Sequence, residues 1–443
     1  MLIRSREVRR TLEHRREWAK RLWCDDQPNG VIYREVEAAV QAAANKGFDT
    51  AKATALLPEG ENLFQGGQYD ALLGVIARIN QALREAPRLV EPTGSPASLE
   101  AISNTWPSPS RPAWPDEASY YDKTLGAWLG KNIGGSLGGI LEGWPRERIL
   151  RKHGVIRDYV LKPPPTLNDD ISFEIVMLHA LEEHGPALSS AQLGIEWVAH
   201  LPIDYCYTAE KVALGNMLRG IMPPESGTVD NPFSEWVGAQ MKGELCGLIA
   251  PGRPDIAARY AYLDGVIAHE REGVYGEIFV AAATSLAFVS QDLAWIVKTA
   301  LEYVPPESQY AAIIRQAAAW SQESPSWQEA CARVEQTYGR THHWVHVLPN
   351  AALVVIALLS GKGDFQETIS IATTCGMDVD CNGGVAGAIV GAVVGASQIP
   401  ARLSKPLGGA IDTWVVGFER LTLKDLASRT CRMGARVREA TGS

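Results

Sequence analysis

No two cysteines in this chain are spaced as C-x-x-C, and the seven present are scattered along its 443 residues. This spacing excludes a zinc-ribbon or disulfide scaffold and leads us to expect a reducing, cytoplasmic compartment. Dense basic blocks are also missing. The 42 Lys and Arg residues are outnumbered by 51 Asp and Glu, giving a formal net charge of -9. A nucleic acid polymer is therefore not expected as a partner, because a phosphate backbone calls for a concentrated basic footprint. Strand-like alternation of apolar and polar residues is almost absent. The N-terminal "MLIRSREVRRTLEHRREW" lacks an apolar core and does not read as a secretory signal. The one stretch that resembles a membrane segment, Val385 to Ile399, carries no charge but is too short to span a bilayer comfortably. It is expected to be a helix buried in a protein core, and no membrane partner is expected.

What is present is helical periodicity. "REVRRTLEHRREWAKRLW", "YREVEAAVQAAANKG" and "GGQYDALLGVIARINQALREA" read as three helices, the last with Leu72, Ile76, Ile79 and Leu83 on one face. A Pro- and Ser-rich stretch, "PRLVEPTGSPASLEAISNTWPSPSRPAWP", follows and reads as a linker. The expected organisation is an N-terminal helical accessory region with its linker over residues 1–111 and an all-α domain over 112–443. A chain of this length can hold such a domain and an added piece.

Two segments share an unusual feature. "LGAWLGKNIGGSLGGILEG" places glycines at 126, 130, 134 and 138, and "CGMDVDCNGGVAGAIVGAVVG" places them at 383, 387, 391 and 395. Residues four apart share a helix face. Each interior glycine costs a helix roughly 1 kcal/mol relative to alanine, so two such ladders predict helices packed backbone to backbone.

Acidic residues stand beside these ladders. Asp378 and Asp380 precede the second one, and Asn168, Asp169 and Asp170 open the amphipathic run "TLNDDISFEIVMLHALEEHG". Either group alone reads as helix capping. If the two meet in a helical core, their four carboxylates repel unless protons or cations neutralise them. Oxygen ligands favour Mg²⁺, Mn²⁺ or Ca²⁺ over zinc. His343 and His346 share a face in "THHWVHVLPN", but no third ligand of matching spacing follows, so a polar pocket rim is expected there rather than zinc.

These motifs, in this order, resemble the ADP-ribosylglycohydrolases, the all-α family that includes the dinitrogenase-reductase-activating glycohydrolase. The resemblance runs from about Asp122 to Arg429. It also rests on "YGEIFVAA" and "LPNAALVVIALL". It implies two divalent cations, Mg²⁺ or Mn²⁺, held by Asp169, Asp170, Asp378 and Asp380, with Asn168 and Cys381 at positions where the family often has threonine ligands. It implies an acid/base role for Glu142, with Asp378 as the alternative base. It also implies substrate contacts from Gly238, Ala239 and Gln240 in a phosphate loop, from His269 and Tyr275, and from His346 at the rim. Ile171, Val379, Cys381 and Lys131 depart from the family's usual residues. The expected activity is metal-dependent cleavage of an N- or O-ribosidic bond in a small-molecule ADP-ribosyl, nucleoside or other ribosyl compound. The alternative is a non-catalytic member that binds ADP-ribose or a nucleotide. Lys242 in place of an arginine, followed by Glu244, suggests a weak pyrophosphate grip and a preference for a small substrate.

Overall fold

The computed structural model describes residues 5–108 and 112–442. Among the described residues the regular structure is helical, apart from two small antiparallel hairpins, Asp25–Asp26 with Ile32–Tyr33 and Ala410–Asp412 with Arg420–Thr422. The all-α expectation holds. No helix among the described residues is long and apolar enough to cross a membrane. The uncharged Val379–Val394 helix is instead buried along nearly its whole length.

Two compact units divide the chain. One comprises residues 1–92 with 341–343, the other 93–340 with 344–443. In the first, helices Ser5–Trp23, Glu35–Asn45 and Tyr69–Arg84 correspond to the three periodic segments. Their apolar faces converge on Trp23, Val36, Val40, Leu72, Ile76 and Ile79. Leu83, the fourth residue of the expected stripe, is only partly buried against this cluster. Trp23 donates its indole N–H to Glu61 at 2.9 Å. The basic face of the first helix stays exposed, as expected for a solvated face.

The boundary between units falls after Pro92, upstream of the expected division at residue 112. The intervening stretch has linker composition but is packed into the second unit. The Ser95 hydroxyl donates to Glu272 at 2.6 Å, Tyr275 donates to the Pro96 carbonyl, and the Trp106 indole donates to the Tyr303 carbonyl at 2.7 Å. A short helix, Leu99–Ser103, forms within it. Pro and Ser favour irregular backbone, but they do not keep its polar groups from finding partners.

The centre of the second unit is the pair of glycine-ladder helices, Glu117–Gly138 and Val379–Val394. They pack antiparallel in the register set by the glycines. A Cβ built on Gly126 would fall 2.3 Å from the Gly391 carbonyl oxygen, one on Gly130 1.9 Å from that of Gly387, and one on Gly134 1.9 Å from that of Gly383. Nothing larger than hydrogen fits at these crossings. At the far end, Asp122 accepts from the Ser397 backbone N–H at 3.0 Å and from its hydroxyl at 3.1 Å. At the near end the ladder runs into chemistry, because a Cβ on Gly138 would lie 2.5 Å from the Asp380 backbone.

Candidate metal centre

The second ladder helix starts under constraint. Gly376 and Met377 both have positive φ, +83° and +64°. The left-handed region is costly for a residue with a side chain and recurs at functional sites. The Met377 carbonyl accepts from the Gly143 N–H at 2.9 Å, which ties this loop to the residue after Glu142. Asp378 occupies the N-cap position but makes no side-chain cap hydrogen bond. Its backbone N–H donates instead to the Asn350 side-chain oxygen at 3.2 Å. The capping reading of Asp378 therefore does not describe it, and its carboxylate is left to face the interior.

Three more carboxylates join it there. One side-chain oxygen each of Glu142, Asp378 and Asp380 lie within 4.8 Å of one another, as do atoms of Asp170, Asp380 and Cys381. Asp380 belongs to both groups and links them. Asp378 Oδ1, Asp380 Oδ1 and Asp170 Oδ2 are buried without a hydrogen-bond partner in the protein. Buried oxygens of this kind ordinarily have a partner. Without cations, burial and then the Asp380 charge push Asp378 well above the usual carboxylate range. Burial and then Asp169 and Asp380 do the same to Asp170, and burial and then Asp380 and Asp378 to Glu142. Burial and the Asp380 charge also raise Asp169, placing it in the same field. An oxygen-rich cluster with orphaned lone pairs and mutual repulsion fits hard divalent cations.

Two expected ligands fit less well. Asn168 is the N-cap of the Asp169–His184 helix, and its side-chain oxygen accepts from the Asp170 N–H at 2.8 Å. Its amide nitrogen is wedged where a Gly135 Cβ would be, so it anchors the helix against the first ladder. The Cys381 thiol donates to Asp170 Oδ1 at 3.4 Å. Without cations, burial, reinforced by Asp170, Asp378 and Asp380, raises the thiol well above its ordinary range, and sulfur is a soft donor poorly matched to Mg²⁺.

The expected substrate residues are all interior. Gly238, Ala239 and Gln240 are buried, with Gln240 accepting from the Tyr310 hydroxyl at 2.7 Å. His346 caps the Val347–Gly361 helix by accepting from Leu348 N–H at 3.3 Å. Tyr275 is core, and its hydroxyl is engaged by Pro96. His269 is buried with Nε2 at 3.5 Å from Glu210, and burial lowers its pKa well below the usual value. Lys242, read from the sequence as a sign of a weak pyrophosphate grip, is engaged within the protein. Its ammonium is fully buried, at 2.9 Å from both Asp264 and Glu277, and has no charge to spare for a ligand.

Two residues that sequence reasoning passed over, Asn350 and Glu210, also shape the site, as does Lys131, which the sequence marked as a departure from the family's usual residue. Asn350 accepts from Asp378 and from the Asn382 amide at 2.8 Å and donates to the His346 carbonyl at 2.9 Å, so it sets the loop that carries the aspartates. A lone asparagine in the apolar run "LPNAALVVIALL" was the available signal. Glu210 lies beneath the Gly238 loop, where a Gly238 Cβ would meet its carboxylate at 1.8 Å. Burial pushes Glu210 up to about 7, and the Asp169 charge adds to this. Lys131 is fully buried, with its ammonium 3.0 Å from Glu244 and 3.5 Å from Glu174.

Fold and cluster together define a helical domain with a carboxylate-built candidate centre for divalent cations. The chain belongs to the ADP-ribosylglycohydrolase family, whose profile matches residues 116–439. It is 24% identical over 322 residues to a protein of Archaeoglobus fulgidus described only as uncharacterized, a match spanning 71% of this chain and 97% of that one. A solved structure titled "ADP-ribosylglycohydrolase-related protein complex" superposes with a TM-score of 0.50 at 17% identity, covering 72% of this chain and 99% of that one. At that identity the likeness shows the fold.

Proposed function

We propose that the protein is a metal-dependent glycohydrolase that cleaves the N- or O-ribosidic bond of a small ribosyl compound. One observation carries this reading: Glu142, Asp378 and Asp380 converge within 4.8 Å, and Asp378 and Asp380, with neighbouring Asp170, each keep a buried carboxylate oxygen that the protein leaves unpartnered. Asp169, Asp170, Asp378 and Asp380 would hold two cations, Mg²⁺ or Mn²⁺. Bound there, cations would supply charge for anchoring a ribose diol and for activating water. The chain's own work is positional. Asn350 and the Gly143–Met377 hydrogen bond fix the aspartate loop. Glu142 would move a proton. As the bond from C1′ to the leaving atom breaks, its electron pair passes to that atom, which is protonated, while water adds to C1′ and loses its proton to the basic carboxylate.

The buried, neutralised Lys242 supports a small substrate. Without that cation the loop around Gly238 offers a pyrophosphate little charge, so a nucleoside or its 5′-phosphate is the preferred class over an ADP-ribosylated protein. A second reading, binding without cleavage, draws on Asn168 and Cys381, whose polar atoms serve the protein rather than a metal. A panel of nucleosides, nucleotides and ADP-ribosylated protein, incubated with Mg²⁺ or Mn²⁺ and scored for released ribose species by kcat/KM, separates these readings. Faster turnover of the modified protein refutes the small-substrate preference. Tight binding with no product on any substrate refutes the hydrolase.

A further inference from the structure

The two helices that carry His179, Glu196 and His200 bring these side chains together away from the carboxylate cluster. His179 lies ten residues beyond Asp169 on the Asp169–His184 helix, about 15 Å along its axis. Glu196 and His200 stand four apart on the Ser190–His200 helix, on one face. Glu196 Oε2 is 3.4 Å from His200 Nε2 and 3.8 Å from His179 Nε2. All three candidate donor atoms lie within 4.8 Å of one another, and none of the residues is fully buried.

The surrounding hydrogen bonds determine which atoms are free to bind. His200 Nδ1 is 2.8 Å from the Val416 carbonyl, which can only accept, so Nδ1 carries the proton. In the neutral ring, Nε2 then presents a lone pair to the lone pairs of Glu196 Oε2. Two acceptors at that separation call for a proton or a metal cation between them. On the other side of Glu196, His184 Nε2 lies 2.8 Å from Oε1, while the Gln192 amide nitrogen is 3.4 Å from His184 Nδ1. The amide donates to Nδ1, so Nε2–H donates to Oε1, which orients the carboxylate and leaves Oε2 free. A carbonyl behind one histidine and a histidine behind the carboxylate are the supports that metal ligands ordinarily have. In a tetrahedron with metal–ligand bonds of ~2.05 Å, neighbouring ligand atoms are about 3.3 Å apart, close to the 3.4 and 3.8 Å seen here.

We propose that His179, Glu196 and His200 form a second metal site, separate from the carboxylate centre. It is selective for a borderline transition cation such as Zn²⁺ or Co²⁺ and has a fourth position for water or an external ligand. His184 is a positioning residue acting through Glu196. The site would clamp the helix that carries Asp169 and Asp170 to its neighbour.

The test uses the full chain, stripped with EDTA and then kept in millimolar Mg²⁺ so that the carboxylate centre is supplied with its own class of ion. Zn²⁺ is titrated by calorimetry and Co²⁺ by visible absorption. One equivalent is expected to bind, with Co²⁺ showing ligand-field bands and no intense thiolate charge-transfer band. Affinity should fall more than 100-fold in both His200→Ala and Glu196→Gln, and by roughly 10–100-fold in His184→Gln. Asp380→Asn should retain it. Glu196→Gln preserves the side chain's shape and its hydrogen bond from His184, so it guards against a fold that fails in His200→Ala. Zinc binding that survives both ligand variants, zinc binding lost instead with Cys381→Ser, or no zinc binding by the wild type would each overturn the proposal.

Discussion

Gly130→Ala tests whether the glycine ladders are a packing requirement. The new methyl carbon would lie 1.9 Å from the Gly387 carbonyl oxygen. An ordinary C···O contact is ~3.3 Å, so the helices must part by roughly 1.4 Å at that crossing. The obstacle is backbone and cannot rotate away. Overpacking of this kind costs ~3 kcal/mol, at the upper end of the usual range, and alanine's better helix propensity returns about 1 kcal/mol. The net loss is about 2 kcal/mol. Function should suffer more than stability, because ligand geometry tolerates only about 0.5 Å, and the same seam meets the Asp380 backbone at Gly138. Gly215→Ala is the control in the same compact unit. It lies inside the Thr208–Met217 helix with nothing within 4 Å of its built Cβ, and should stabilise by up to about 1 kcal/mol. Urea unfolding followed by helical signal, with Mn²⁺ titration of each folded variant, measures both quantities. If Gly130→Ala matches the wild type in midpoint and Mn²⁺ affinity, close backbone contact does not organise this core.

Other perturbations have equally definite signs. Asp380→Asn should raise the melting temperature of the EDTA-treated protein by relieving repulsion among buried carboxylates, and should abolish the further rise that Mn²⁺ gives the wild type; a wild-type Mn²⁺ response in the variant would remove Asp380 from the ligand set. Lys131→Met should destabilise by ~3–5 kcal/mol by stranding Glu174 and Glu244 in the interior, and adding Glu174→Gln and Glu244→Gln should restore most of the loss in the same urea assay. Burial holds His342 and His343 near about 4, below the ordinary 6.5. The native state therefore takes up fewer protons than the unfolded chain between these values, and the histidines' contribution, complete above pH 6.5, is lost as pH falls toward 4. Replacing both with glutamine should flatten that part of the stability–pH profile, and an unchanged slope would refute the assignment.

The ladders and the acids were legible in the sequence because their physics is periodic or local. Glycines at 126, 130, 134 and 138 and at 383, 387, 391 and 395 have the spacing of one helix face; a Cβ on any but the last would run into the partner segment's backbone, and one on Gly395 would meet the Asp122 carboxylate. Capping is local too, and Asn168 does cap its helix. What the sequence concealed depends on distant partners. Lys242 gives no sign in the sequence that Asp264 and Glu277, contributed by two later helices, close around it. The stretch after Pro92 looks like a linker because its composition carries no sign that Glu272, Tyr275 and Tyr303 bind it. His179, Glu196 and His200 belong to two helices with no common motif, so only the fold brings them together.

The arrangement of buried charge separates structural acids from candidate functional ones. Glu174 and Glu244 share the Lys131 ammonium, and Asp264 and Glu277 share that of Lys242, at 2.9 to 3.5 Å. Burial lowers the pKa of both lysines, but the surrounding carboxylates more than offset it, and both end above the ordinary value. These cations stay charged and each lies between two acids. Among the described residues, Asp170, Asp378 and Asp380 make no ion pair with lysine or arginine, although the same core supplies lysines to their neighbours. Lys131 even lies close enough for its charge to lower Asp170, yet its ammonium bonds to Glu244 and the Met241 carbonyl. The core pairs four of its buried acids with two lysines and leaves Asp170, Asp378 and Asp380 without one. That asymmetry supports the proposed metal-dependent reading, in which cations would sit between the NDD helix and the second ladder.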